Sequence, residues 1–131
     1  RFCLIEEHQQ IVDILKAEED YDDTLFDITN IDFHHDLWYS NQDIINAKDF
    51  EKWACNNWLG YLYLNNKTSN IHWIKGPNSS GVVEKKDEEI FNTIQDKTFL
   101  KIATKCDLTE NRDDNAICVS LKTGENLFFI D

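Results

Sequence analysis

Along the first part of the chain, apolar residues recur at helical spacing. Leu4, Ile5, Ile11, Val12 and Leu15 form one stripe with His8 on it, which predicts an amphipathic helix over residues 4–17. Glu6 and Glu7 in its first turn and Lys16 near its last follow the order that the helix dipole favours. Glu18-Glu19-Asp20-Tyr21-Asp22-Asp23 is too charged to bury and reads as a solvated loop or helix end. Residues 24–33 read as extended chain. Phe26 and Ile28 alternate, then Ile31 and Phe33 take the opposite parity, which implies a bulge or bend near Thr29-Asn30. Ser40 followed by Asp43 resembles a cap opening a helix through about Cys55, with Ile44, Ile45, Phe50, Trp53 and Ala54 on its apolar face.

Beyond this point the pattern turns strand-like. Trp58-Leu59-Gly60-Tyr61-Leu62-Tyr63-Leu64 is apolar or aromatic throughout, and after a polar turn Ile71-His72-Trp73-Ile74 returns as its partner. Gly76-Pro77-Asn78-Ser79-Ser80-Gly81 reads as a loop. A third helix is predicted over residues 85–96 and a strand from Phe99 to Ala103. A hairpin of residues 116–122 and 126–130 follows, turning at Thr123-Gly124. Helices first and strands after predict an α+β fold, with N-terminal helices packed on a mainly antiparallel sheet. With four Gly and one Pro in 131 residues there is little linker material, so residues 1–131 are expected to form one domain.

Charge changes the picture most. Residues 1–43 carry 12 acidic and two basic side chains, whereas residues 44–131 carry 13 and 11, so nearly all of the formal −12 sits in the first third. A field gathered on one segment steers a cationic partner. The expected function is therefore a non-enzymatic protein-binding module of the inhibitor, immunity or host-factor-capturing kind. Glu18, Glu19, Asp20, Asp22, Asp23 and Asp36 would attract the basic protein, and Trp38 and Tyr39, read as an exposed aromatic pair, would anchor it. A chain this acidic repels phosphate, so nucleic acid is not an expected partner, and no cofactor is expected.

Chain ends and cysteines bear on context. The chain opens at Arg1 and contains no Met, which suggests a processed or excised piece. Cys3, Cys55, Cys106 and Cys118 allow three pairings, and Asn66-Lys67-Thr68 and Asn78-Ser79-Ser80 are glycosylation sequons. Together these lean toward a secreted, oxidising context. No apolar run approaches the roughly 18 residues that membrane insertion needs.

Candidate chemistry is sparse. His34-His35-Asp36 could serve a metal-dependent hydrolase, with a further ligand from His8 or His72. Neighbouring strand side chains face opposite ways, so the two histidines could converge only in a loop. Counted from Asp20, an EF-hand loop fails, because its sixth position is Leu25 and its twelfth Ile31. Trp58-Leu59-Gly60-Tyr61 with Ile71-His72-Trp73-Ile74-Lys75-Gly76 is similar to the central strands of C-type lectin-like domains, and Cys118 echoes a late cysteine of that family. The resemblance implies a structural or non-sugar-binding domain of a viral or cell-surface protein. The early cysteines and calcium–sugar triplets of that family are not matched. Thr104-Lys105-Cys106-Asp107 with Ser120-Leu121-Lys122-Thr123-Gly124 resembles the guanine-specificity motifs that end a GTPase domain. Only 12 residues separate Asp107 from Ser120, where a helix is expected, and no G-x-x-x-x-G-K-[ST] loop occurs. That reading is rejected.

Overall fold

The computed structural model describes residues 2–76, 84–104 and 116–119. The elements run α1 (Gln10–Lys16), a 3-10 turn (Tyr21–Asp23), β1 (Phe26–Ile31), α2 (Asn41–Asp49), α3 (Trp58–Leu64), β2 (Thr68–Lys75), α4 (Glu84–Phe91), β3 (Lys97–Thr104) and β4 (Ala116–Val119). The four strands form one sheet in the order β1-β2-β3-β4, and all three pairings are parallel.

This overturns the mainly antiparallel sheet. Helices and strands are both present, but they alternate as βαβ units instead of segregating. The error starts at residues 58–64. A short, wholly apolar run fits a buried strand or a buried helix equally, because periodicity cannot separate them when every side is covered. Here it is α3, with Trp58, Leu59, Gly60, Tyr61 and Leu62 all buried. Once that run is helical, Ile71-His72-Trp73-Ile74 has no hairpin partner and lies between β1 and β3. The likeness to C-type lectin-like central strands falls with it. The register irregularity of β1 lies between Phe26 and Asp27, not near Thr29-Asn30. Strand β4 pairs parallel to β3, and the remainder of the expected C-terminal hairpin lies outside the described residues.

The helix expected from Ser40 through about Cys55 starts as expected but stops at Asp49, leaving Phe50, Trp53 and Ala54 beyond it. Ser40 caps α2, its hydroxyl accepting from Asp43 N–H at 3.2 Å, while the Asp43 carboxylate accepts from Tyr39 N–H at 2.9 Å. Helix α1 is shorter than its stripe, starting at Gln10, and Leu4 stays fully exposed. The core joins Val12 of α1, Ala47 of α2, the inner face of α3, Ile71 and Trp73 of β2, Phe91 at the end of α4 and Ile94 just past it. Trp73 is its centre, with Phe91 and Phe99 tilted against it and His35 edge-on, and its indole N–H donates to Asp32 O at 2.9 Å.

Candidate functional site

Parallel strands put all their carboxyl ends on one side of the sheet, and in open sheets of this kind ligands bind outside those ends. The polar side chains collect there. Asp32 leaves β1 one residue past Ile31, and the chain then turns through His34, His35 and Asp36. Asp36 takes a positive φ of 58°. Its carbonyl accepts from Leu59 N–H at 3.1 Å and Gly60 N–H at 3.2 Å, which caps the first turn of α3. Gly60 makes this approach feasible. A Cβ at that position would sit 1.9 Å from Leu37 O.

The two adjacent histidines do not converge on one ligand position. Buried His35 accepts the Leu37 N–H on Nδ1 at 2.9 Å, so its proton is on Nε2, which faces Asp87 Oδ1 at 3.9 Å. Burial pushes the imidazole down to about 4, against the pull of Asp87, so His35 is neutral at neutral pH. His34 Nδ1 instead lies 3.2 Å from Asp87 Oδ2. The proposed His34/His35/Asp36 ligand set is therefore corrected: His34 pairs with buried Asp87, His35 Nε2 faces Asp87 beyond hydrogen-bond distance, and Asp36 has other neighbours.

Those neighbours are His8 and Asp32. His8 Nδ1 lies 3.2 Å from Asp36 Oδ2 and 3.5 Å from Asp32 Oδ2. The Trp58 indole N–H donates to the same Asp36 oxygen at 2.9 Å. Burial pushes the Asp36 carboxyl up, and the hydrogen bonds from Trp58 and His8 pull it back. A cavity of about 290 Å³ opens beside the group, lined by His8, Asp32, His34, Asp36, Tyr39, Cys55 and Asn56. Further along the same edge, Lys75 at the end of β2 is fully buried, 3.3 Å from Glu88, and Lys101 also reaches Glu88 at 3.1 Å.

The eight residues expected to bind a basic partner are not brought together as one face. Glu18, Glu19, Asp20, Asp22 and Asp23 precede β1, whereas Asp36 follows it. The six residues of β1 put roughly 20 Å between them along the strand. Asp36 is buried at 4% exposure and turned inward. Trp38 is half-buried against Tyr63, and Tyr39 is half-buried and stacked on His35 at 4.8 Å, so neither stands out as an exposed pair. Burial raises the Tyr39 hydroxyl far above its usual range, and Asp87 adds to the rise. Glu19, Asp20, Asp22 and Asp23 are exposed. Elsewhere in the first third, Asp27 pairs with His72 at 2.9 Å. Cys3 and Cys55 are unpaired and exposed, and the side chains of Cys106 and Cys118 lie outside the described residues.

Sequence reasoning missed Asp32 and Asp87. Among 25 acidic residues neither carries a local signature. The usable signal was positional, since Asp32 ends an extended run, and it acquires meaning only once the strand is known to be parallel. No described helix is long and apolar enough to cross a membrane. Compared with known proteins, the chain matches no family model, no curated protein and no solved structure.

Proposed function

We propose that the carboxyl edge of the sheet forms a nucleotide site that selects guanine. The observation that carries this reading is the parallel pairing of β3 with β4, Thr104 opposite Val119. Thr104-Lys105-Cys106-Asp107 thus starts on the last residue of one strand, and Ser120-Leu121-Lys122-Thr123-Gly124 starts immediately past its neighbour. Thr104 and Val119 are the carboxyl ends of β3 and β4, at the edge where parallel sheets hold ligands. The spacing objection also loses force. Residues 105–115 make a connection close to the dozen residues that joins parallel strands, whether or not it is helical. In chemical terms, the Asp107 carboxylate would accept from N1–H and the 2-amino group of guanine, a donor pair that adenine lacks. The 131 residues hold no G-x-x-x-x-G-K-[ST] loop, so the reading concerns recognition of the base.

Titration with guanosine and adenosine diphosphates tests it. Guanine should be preferred by at least about tenfold, the size expected when a paired polar group is left unmatched. Asp107→Asn should lose that preference and gain affinity for xanthosine diphosphate, whose 2-oxo group accepts the new amide N–H. Equal or absent binding of both purines would end the proposal.

A second reading has its own support. The exposed side chains of Glu19, Asp20, Asp22 and Asp23 crowd one turn at the opposite edge, which suits electrostatic capture of a basic protein. Here Asp36, Trp38 and Tyr39 would take no part. Binding to polylysine at two salt concentrations discriminates: affinity that does not weaken with salt removes this reading.

A further inference from the structure

We propose that His8, Asp32 and Asp36 form a site for one divalent transition ion, best matched to Zn²⁺, with one coordination position open to the adjoining cavity. The three donors come from separate parts of the chain: the segment before α1, the end of β1, and the loop that caps α3. One atom from each lies within 4.8 Å of the others. The His8 Nδ1 distances to Asp36 Oδ2 and Asp32 Oδ2 are 3.2 and 3.5 Å. Donors at the corners of a tetrahedron with bonds of about 2.1 Å sit about 3.4 Å apart, which the two His8 distances match, and the two carboxylates, within 4.8 Å of one another, would draw in around the ion.

The donor chemistry narrows the choice of ion. One imidazole and two carboxylates suit a borderline cation, whereas Ca²⁺ asks for six to eight oxygens. Three protein ligands leave a fourth position, and the cavity of about 290 Å³ that the three line together with His34, Tyr39, Cys55 and Asn56 gives it room. A second observation supports the site independently of the donors. The indole N–H of Trp58, a residue only 3% exposed, donates at 2.9 Å to the very Asp36 oxygen that would coordinate. Outer partners of this kind fix the orientation of metal-binding carboxylates. Asp36 is itself buried, and the basic group beside it is His8. A divalent ion carries enough charge to neutralise both carboxylates.

The test is calorimetric titration of the chelator-treated, tag-free protein with Zn²⁺ alone, with Co²⁺ as a spectroscopic stand-in and no nucleotide present. It therefore reports on this site whatever the fate of the guanine reading. One ion per chain and a tetrahedral-type Co²⁺ spectrum are expected. His8→Gln and Asp32→Asn should each weaken binding at least tenfold, while Cys3→Ser leaves it unchanged. His8 and Asp32 are 54% and 28% exposed, so both variants should keep the melting profile of the parent. Substoichiometric binding by the parent, or affinity untouched by both variants, would overturn the proposal.

Discussion

The two edges of the same sheet are built on opposite principles. At the amino edge, the turn before β1 leaves Glu19, Asp20, Asp22 and Asp23 in water, where each carboxylate is solvated and its neighbours cost little. Lys67 ties this turn down by donating to Tyr21 O and lying 4.4 Å over its ring. At the carboxyl edge, His35, Asp36, Lys75 and Asp87 are all at least nine-tenths buried, and each leans on a specific neighbour. Charge that is merely dense decorates a surface. Charge that is buried must be matched, and the need to match it fixes geometry. The richest acidic stretch of the sequence is thus less informative about a site than four scattered residues which the fold brings to the other edge.

This contrast can be broken most directly at Gly60. Gly60→Ala drives a methyl into Leu37 O and C, at 1.9 and 2.7 Å, and both are backbone atoms that cannot swing aside. Alanine regains about 1 kcal/mol of helix propensity, but the overlap should cost about 3 kcal/mol or more net, read as a shifted urea midpoint. Acid comes next. The His35 imidazole sits near 4 in the fold against 6.5 when free, so the unfolded chain takes up the proton first. Its contribution is complete above pH 6.5 and is lost as pH falls toward 4, on the order of 3 kcal/mol. The raised carboxyl of Asp36 acts with the opposite sign and trims this loss. His35→Phe should flatten the stability–pH curve in that window. The smallest effect belongs to the amino edge. Combining Asp20→Asn, Asp22→Asn and Asp23→Asn should move stability by less than about 0.5 kcal/mol, while flattening any salt dependence of binding to a basic partner. A large destabilisation there would erase the distinction between the edges.

Much of the local structure was legible from residue pattern. The Ser40 cap, the strand around Trp73 and the helix preceding Ile94 all rest on nearest-neighbour chemistry, which a sequence displays. Other features were not legible. The all-apolar run of α3 carries no period to read, and its misassignment as a strand propagated into the sheet direction. The site was hidden because His8, Asp32, Asp36 and Trp58 are spread over 51 positions and meet only where the loop after β1 packs on the start of α3. The parallel pairing of β3 with β4 was hidden too, because the pattern over residues 116–130 suggests a hairpin.

The sheet also dictates an order of assembly. Paired residues are separated by 15 positions for Lys101 and Ala116, 26 for Ile71 and Lys97, and 42 for Phe26 and Thr68. The chain entropy lost on closing these loops rises by about 1 kcal/mol from the shortest to the longest. Zippering should therefore begin at the C-terminal strands and reach β1 last. Pulse-labelled amide exchange would reveal this as protection gained in β3 before β1. The pocket formed by His8, Asp32 and Asp36 would then be the final piece of the molecule to take shape and the first to come undone.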